Sequence, residues 1–561
     1  MKNYFEQAIS KIYGDEDDFI IIGLTGQTGS GCSTVASILS KQQEQIKHSL
    51  YKGNTPENNT QRKEKIVFKC FEKTWTPFIS IQASSILTLM LSEIRIEESS
   101  SFIGTFSELP PSTKDKIFEV IKSIKERFEK LDTKDIESLR EFYTDFLPNQ
   151  NTTLKKEIGA SGYVKIFQKI GNNVRHSGSP TSDELLGGNF YSIAERINKI
   201  IKEIRNARKK GERTFIVIDA IRNPFEAIYF QDRYSSFYLM AVSCEDEQRK
   251  SRLRALSYTD TQIIAMDKEE YGDRKLTEKS TYIKQDIQAC LQRSDLYISN
   301  PNSSNAVSHF SSLANQIITF VCLMIRPGLI TPTPLERCMQ IAYTAKLNSG
   351  CISRQVGAVV TDKNFSVQAV GWNDTPYGQV PCSLRNRFDL VGGNDQDAYS
   401  EYEKTDVDYI ARFNSEGEQY KKIEATGRNI SYCFKSEYNG LKNEKNQVHT
   451  RSLHAEENAF LQISKYGGRG IEYGKLFTTA SPCELCSKKA YQLGIREIYY
   501  IDPYPGIAMS HILLGGTNNP NLILFSGAIG KAFHNLYSSR MPYKDELNAL
   551  AISETPLPQM N

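Results

Sequence analysis

Three metal-binding side chains and one carboxylate lie in two short segments of the C-terminal part of the chain. The first segment is His454-Ala455-Glu456, and the second is P-C-E-L-C over residues 482–486. Histidine and cysteine are typical zinc ligands, and a structural zinc site is closed by a fourth protein ligand, whereas three ligands leave one position for water. The pattern therefore predicts a catalytic zinc site with His454, Cys483 and Cys486 as ligands. Any fold of this chain must bring the two segments together.

Glu456 is predicted to carry protons and not to bind the metal. The order H-x-E followed by P-C-x-x-C is the signature of zinc-dependent cytosine and adenine deaminases, in which the glutamate is the general acid and base. A structural Cys/His zinc knuckle and a C-x-x-C redox pair with an unrelated histidine are alternatives. Neither of them explains Glu456.

The residues around both segments predict regular structure. Residues 476–479 form an apolar strand, and Pro482 is suited to the first turn of a helix that carries both cysteines on one face. His454 precedes an apolar helical pattern over residues 455–463. The thiolates would then lie at the positive end of a helix, which favours metal binding.

Length and composition predict a multidomain globular protein. A chain of 561 residues is too long for one core, which indicates two or three domains. The net charge of +3 does not by itself indicate a nucleic-acid surface. Eleven cysteines, an odd number, favour reduced thiols over a disulfide framework. With no signal-peptide pattern and no membrane-length apolar run, we expect a cytoplasmic protein.

A glycine-rich loop follows the first strongly apolar segment. Residues 19–24 predict a buried strand, residues 26–34 read G-Q-T-G-S-G-C-S-T, and a helix pattern follows. Strand, loop and helix in this order are typical of a P-loop, whose backbone amides bind phosphate. The candidate nucleotide-binding residues are Gly26, Gly29, Gly31, Ser33 and Thr34. Cys32 stands where the pattern requires lysine, so we expect a phosphate site with Mg²⁺ near Ser33 but doubtful phosphoryl transfer.

A second apolar strand, over residues 214–219, ends in Asp219, the position of a Walker B magnesium residue. The I-D-A-I-R-N stretch and the later basic helix resemble the nucleoside-monophosphate and dephospho-coenzyme-A kinase branch of P-loop folds. Arg175 is a further candidate for phosphate binding. The alternative is that Asp219 only ends a core strand and that Arg249, Arg252 and Arg254 face solvent, and for the three arginines we expect the alternative.

The part of the chain after the Pro-rich segment at 326–334 resembles deoxycytidylate deaminases. R-Q-V-G-A-V-V from residue 354, G-W-N-D-T-P-Y-G from residue 371, H-A-E-E-N-A and P-C-x-x-C occur in that family's order, over roughly residues 333–545. The resemblance implies that Asn373 approaches the sugar of the substrate, and it places Ala455 and Tyr504 at the substrate site. For Asn373 the alternative is a turn cap, and for Tyr504 a core position. The long connection to His454 contains Cys382, Cys433 and His449, which with Cys351 form either a second structural zinc site or separate buried thiols.

Nearly the whole chain, including the glycine-rich loop with Cys32 and the C-terminal segment from Phe525 to Leu547, resembles the bacterial phage-defence deoxycytidine-nucleotide deaminases. This implies an α/β fold, with a regulatory P-loop kinase-like domain over residues 1–326 and an α/β/α cytidine-deaminase-like domain with a mixed sheet over residues 327–561. It also implies conversion of dCTP and dCMP to uridine nucleotides, zinc as cofactor, and inhibition by a small RNA. We further expect a homo-oligomer without membrane contact. Alternatives are a housekeeping dCMP deaminase with a nucleotide-sensing domain, a polynucleotide deaminase and a bifunctional nucleotide kinase.

Overall fold

Two compact units make up the protein. The computed structural model describes residues 18–47, 55–186, 188–209, 211–271, 284–301, 306–415, 417–467, 470–502 and 508–552. The first unit comprises Met1–Thr331 with Ser526–Asn561, and the second comprises Pro332–Phe525. The strands, in chain order, are β1 (Phe19–Thr25), β2 (Ile79–Gln82), β3 (Thr214–Asp219), β4 (Phe237–Ser243), β5 (Leu296–Ser299), β6 (Gly357–Thr361), β7 (Val367–Trp372), β8 (Lys475–Ala480), β9 (Glu497–Asp502), β10 (Asn521–Leu524) and β11 (Gly527–Ala528).

The first unit is built on a sheet with the order β11-β5-β4-β1-β3-β2. All neighbouring strands from β5 to β2 are parallel, and β11 joins β5 in antiparallel orientation. β1 and β3 are buried at every position, because helices cover both faces of the sheet and the strand sequences are apolar throughout. The α/β class predicted from the sequence is confirmed.

Helices of the first unit form two buried clusters, one on each face of the sheet. Residues 111–158 contain the helices Pro111–Glu129, Ile136–Arg140 and Leu147–Ile158. Earlier in the chain lie the short helix Gln43–Lys47 and the longer helix Asn59–Thr74. The remaining helices of eight residues or more are Cys32–Leu39, Ala83–Glu93, Ile96–Gly104, Ala160–Ser177, Ser192–Ala207, Pro224–Arg233, Asp246–Ala255, Asp260–Tyr271, Ala306–Ile325, Gly530–Tyr537 and Tyr543–Ile552, with the shorter Ile287–Arg293.

The C-terminal segment returns to the first unit, which differs from the expected division at 326/327. Gly527 pairs with Tyr297 and Ala528 with Leu296, so β11 extends the first sheet. Ala532 and Leu536 of the following helix are buried in the core on one face of that sheet. This pairing depends on residues more than 200 positions apart, and no local pattern announces it. Residues 526–552 therefore complete the first unit and are not part of the second.

A five-stranded mixed sheet with the order β10-β9-β8-β6-β7 forms the second unit. β6 is antiparallel to both β7 and β8, whereas β8, β9 and β10 are parallel. The helices that pack around it are Pro334–Ala345, Ala455–Tyr466 and Glu484–Gln492. Thr333 and Glu336 form a capping box at the start of the first of these, where the second unit begins.

The connection between β7 and His454 folds into a small helical subdomain with its own core. Its helices are Arg387–Gly392, Glu401–Thr405, Val407–Ser415, Gly417–Glu424 and Phe434–Lys442. Aromatic residues fill its centre, and the fully buried Arg385 pairs with Glu403 beside Tyr432. The burial of paired charges and aromatic rings shows that this connection is ordered structure. In the described parts of the chain, no helix has the length and apolar character needed to cross a lipid bilayer.

Candidate metal centre

The two helices that carry the predicted ligands begin side by side near the carboxyl end of β8, the middle strand of the second sheet. His454 is the N-cap of the helix Ala455–Tyr466, and Cys483 is the N-cap of the helix Glu484–Gln492, with Cys486 in its first turn. β8 leads directly into the second helix. The positive ends of both helices therefore meet at the site, which favours the thiolate form of cysteine.

The three predicted ligand atoms converge on one point. The Sγ atoms of Cys483 and Cys486 lie 3.3 and 3.4 Å from Nδ1 of His454. A tetrahedral zinc ion with ordinary bond lengths would hold its nitrogen and sulfur ligands about 3.5 Å apart. In the described residues this is the one set of three or more His, Cys, Asp or Glu side chains whose ligand atoms all lie within 4.8 Å. The donor types and their separation therefore fit zinc.

Hydrogen bonds within the cluster separate the pKa values of its two thiols. Hydrogen bonds from Cys486 and His454 outweigh burial and lower the pKa of the Cys483 thiol to about 3. The hydrogen bond to Cys483, together with burial, raises the pKa of Cys486, and the hydrogen bond to Cys483 also raises the pKa of His454. A thiolate is thus available at the centre of the cluster at neutral pH.

Glu456 lies in the first turn of the same helix as His454 but is not one of the converging ligands. Its side chain is buried, with 4% of the residue exposed. Oγ1 of Thr478 on β8 lies 3.1 Å from Oε1 of Glu456 and 2.8 Å from the carbonyl oxygen of Ala480. Burial raises the pKa of Glu456. A carboxyl group so placed can hold a proton next to the metal ligands.

The loop after β7 is held against the segment that precedes His454. The amide of Leu453 donates to the carbonyl of Asp374 at 2.8 Å. Asn373, 9% exposed, accepts from the Val356 amide through Oδ1 and donates to the Arg354 carbonyl through Nδ2. Both ends of this amide therefore bind the main chain, as the turn-holding alternative requires.

The part of the chain that matches a known protein family is the part that contains the converging metal ligands. Residues 332–502 match the family model described as the cytidine and deoxycytidylate deaminase zinc-binding region. The matched segment contains His454, Glu456, Cys483 and Cys486, and it begins where the second unit begins. The deaminase-type zinc-binding domain predicted for the C-terminal part of the chain is thereby confirmed.

Curated deoxycytidylate deaminases are similar over the same part of the chain. That of Enterobacteria phage T2 is 28% identical over 169 residues, which are 30% of this chain and 78% of that protein. That of Enterobacteria phage T4 is 29% identical over 176 residues, 30% of this chain and 76% of that protein. A crystal structure of dCMP deaminase from the cyanophage S-TIM5 with dCMP and dUMP has a TM-score of 0.22 and 21% identity, and covers 35% of this chain and 99% of that one.

The other residues that the sequence analysis singled out in the second unit are not zinc ligands of the converging set in the described part of the chain. Ala455 is buried, and its carbonyl oxygen lies close against Gly371 of β7. Tyr504 lies outside the described residues. The second zinc site that the sequence left open is not assembled in the described residues. Its four candidate ligands, which do not belong to a converging set there, are Cys351, Cys382, Cys433 and His449. His449 instead packs on the Tyr438 ring at 4.3 Å.

Two polar contacts beside the metal ligands were not predicted from the sequence. Thr478 contacts Glu456 although 22 positions separate them. Arg354 forms an ion pair with Asp502, which is 1% exposed and whose carbonyl accepts from the Ser481 amide close to the cysteines. The pair of threonines in the buried part of β8 was the available signal for the first contact. The second joins the segment before β6 to the last residue of β9, 148 positions away, and had none.

The glycine-rich loop of the first unit lies at the carboxyl end of β1. Gly29 and Gly31 have φ angles of 89° and 110°, which other residues rarely adopt. Ser33 Oγ donates to the buried Asp219 carboxylate at 2.8 Å. Gly26 lies at the start of the loop, and Thr34 lines the adjacent cavity. The structure thus brings the two sequence motifs together at neighbouring strand ends.

Two of the three arginines expected to face solvent hold this loop instead. Arg249, 1% exposed, donates to the carbonyl of Thr28 and pairs with Asp246 and Asp267. Arg252 donates to the carbonyl of Asn300 at 2.7 Å and lies near those of Gly29 and Ser30. Arg254 is exposed and pairs with Asp260, as expected. Carbonyl oxygens of the loop and of Asn300 accept from these cations, and this is the reason for the difference.

Proposed function

We propose that the chain catalyses the hydrolytic deamination of free deoxycytidine nucleotides, dCMP and dCTP, to uridine nucleotides and ammonia. The observation that carries this proposal is the buried Glu456 carboxyl beside three converging ligands that leave a fourth position open. The family model and the names of the similar phage proteins support the same reaction.

Each side chain has a separate task in this reaction. His454, Cys483 and Cys486 would hold zinc, which when bound lowers the pKa of water and so supplies a nucleophile at neutral pH. Glu456 takes a proton from the water that adds to C4 of cytosine and delivers it to N3. It then transfers the proton of the C4 hydroxyl to the amino group, which leaves as ammonia while the C4 carbonyl forms. Thr478 orients the Glu456 carboxyl. The balance is one water consumed and one ammonia released.

The finer parts of the proposal rest on the sequence resemblance. Acting on dCTP as well as dCMP, the protein would deplete the dCTP pool and so limit phage DNA synthesis. Restraint by a small RNA and assembly into a homo-oligomer belong to the same proposal. A housekeeping dCMP deaminase is the nearest alternative, and activity on dCMP without dCTP would favour it.

Ammonia release tests the proposal. The purified chain is given dCMP, dCTP, CTP and a cytosine-containing single-stranded oligonucleotide in separate assays, with bound zinc measured by elemental analysis. We expect turnover of dCMP and dCTP, its loss in Glu456→Gln with zinc retained, and normal turnover in the exposed control Glu472→Gln. Turnover of the oligonucleotide alone would contradict the free-nucleotide assignment, and an active Glu456→Gln would contradict the proton-transfer role.

A further inference from the structure

The segment of residues 444–453, which leads into the metal ligand His454, contains neither a helix nor a strand. A segment of this kind has no hydrogen-bond ladder of its own, so its position depends on contacts with other parts of the chain. Three alternating positions near its end make such contacts. They are the ring of His449, the guanidinium of Arg451 and the backbone amide of Leu453, which donates to the loop after β7.

Two of these three contacts are made with the helical subdomain. The ring of His449 packs on the ring of Tyr438, with the ring centres 4.3 Å apart. Nη1 of Arg451 donates to Oε2 of Glu403 at 3.1 Å. The subdomain therefore contacts the chain three and five residues before His454.

Glu403 is a fixed acceptor for Arg451. It has no solvent exposure. Its Oε2 also accepts from the backbone N–H and the hydroxyl of Ser400, both at 2.9 Å. Its Oε1 accepts from the hydroxyl of Tyr432 at 2.8 Å and from Nη2 of Arg385. Because the subdomain itself holds both carboxylate oxygens, Glu403 offers Arg451 an acceptor at a defined position.

The charges of this network favour the contact. Burial opposes ionisation of Glu403, but the guanidinium of Arg385 and the hydrogen bonds from Ser400 and Tyr432 lower the pKa of Glu403 below its usual value. The carboxylate is therefore charged at neutral pH and pairs with two guanidiniums. The side chain of Arg451 is 17% exposed. An ion pair so shielded is weakened less by water and salt than an exposed pair.

The place of Arg451 in the chain connects this ion pair to the metal centre. Arg451 precedes His454 by three residues, which span at most about 10 Å. His454 in turn begins the helix that carries Glu456 in its first turn. Groups that bind a metal or carry protons must be held within about 0.5 Å of their productive positions. A displaced Arg451 would therefore move His454 and Glu456 away from the two cysteines.

We propose that the helical subdomain positions His454 for metal binding through the contact of Arg451 with Glu403, so that Arg451 and Glu403 are positioning residues of the metal centre. The proposal rests on the deaminase function proposed above, in which His454 is a zinc ligand. The other role open to Glu403 is to stabilise the core of the subdomain through Arg385. Replacement of Arg451 separates the two roles, because it leaves the pair of Arg385 with Glu403 in place.

Zinc affinity, measured by competition with a chelating dye, tests the proposal in the full chain. We expect Arg451→Gln to weaken zinc binding about 10-fold, since loss of a group that orients a metal ligand typically costs about 10- to 100-fold in affinity. With zinc saturating, kcat for dCMP should fall by about the same factor. KM should change less than about twofold, because the groups that bind the substrate remain.

Two further variants serve as rescue and control. Arg451→Lys should restore most of the zinc affinity, because a single nitrogen of Arg451 contacts Glu403 and an ammonium group can donate in its place. Arg428→Gln is the matched control, since Arg428 is an exposed arginine in the same connection between β7 and His454 and should bind zinc as the unaltered chain does. Hydrogen exchange over Phe434–Lys442 verifies that the subdomain is folded in each variant. If Arg451→Gln unfolds, Arg451→Met keeps the aliphatic packing and gives the same comparison.

Each outcome decides the proposal. Equal zinc affinity of Arg451→Gln and Arg428→Gln would overturn the positioning role. Equal loss of zinc affinity in Arg451→Gln and Arg451→Lys would overturn the ionic contact as its cause. Zinc affinity is measured without substrate, so an unaltered chain that binds zinc but releases no ammonia from dCMP or dCTP would contradict the proposed function, while the zinc affinities of the variants would still decide the positioning role.

Discussion

Glu456 depends on one neighbouring side chain for its orientation. The Thr478 hydroxyl lies between the Glu456 carboxyl and the Ala480 carbonyl, within hydrogen-bond distance of both. When the hydroxyl donates to the carbonyl, its oxygen accepts from a protonated Glu456. When Glu456 is ionised, the hydroxyl can donate to it. Thr478 can therefore support both forms of a proton carrier.

Replacement of Thr478 tests this positioning role. A hydrogen bond to a charged group contributes about 1.5–3 kcal/mol, so Thr478→Val should lower kcat by about 10- to 100-fold. Thr478→Ser keeps the hydroxyl and should retain most activity. Steady-state ammonia release measures kcat and KM, and bound zinc should be unchanged in both variants. Equal loss in the serine and valine variants would show that Thr478 acts only through packing.

The helix that carries His454 and Glu456 lies unusually close to β7. A Cβ atom at Gly371 would come within 2.2 Å of the Ala455 carbonyl oxygen and 2.6 Å of the Ala459 amide nitrogen. The Asn458 side chain donates to the Trp372 carbonyl at 3.0 Å and holds the same contact. Backbone-to-backbone packing thus sets the position of the helix N-terminus relative to the loop of Asn373.

Gly371→Ala should displace this helix. An added methyl group against backbone atoms costs about 1–3 kcal/mol, and relief by helix movement would separate His454 from the two cysteines. We expect a lower melting temperature and weaker zinc binding, measured by calorimetry and by competition with a chelating dye. Gly417→Ala is the control, since a Cβ atom there meets nothing within 4 Å. Unchanged zinc affinity in Gly371→Ala would show that the centre does not depend on this contact.

The chain leaves the first unit, forms the second, and returns to the first. Residues 526–552 contribute β11 to the first sheet and bury Ala532 and Leu536 in its core. The second unit is therefore inserted in the sequence of the first. The first unit consequently needs residues on both sides of the deaminase-type domain to complete its core.

Truncation of Leu536 tests this dependence. Leu536→Ala creates a cavity in a fully buried position and should cost about 2–5 kcal/mol, whereas Leu547→Ala, at a position 49% exposed, should cost little. Hydrogen exchange followed by mass spectrometry should show faster exchange in β4 and β5 and unchanged exchange in β8 and β9. Faster exchange in β8 and β9 instead would contradict the assignment of the C-terminal segment to the first unit.

Residue types at short spacings were enough to predict the local parts of this protein. The convergence of His454, Cys483 and Cys486, the glycine-rich loop after β1 and the apolar strands each depend on a few neighbouring residues whose chemistry is decided within one or two turns or along one strand. Contacts between distant residues required the tertiary structure. Several such contacts join positions from 22 to more than 200 apart. They are the contacts of Thr478 with Glu456, of the Glu270 carboxylate with the Thr28 amide, of Arg249 and Arg252 with loop carbonyls, and of β11 with β5. Such contacts form because packing brings strand ends and helix ends together, and packing has no local signal in the sequence.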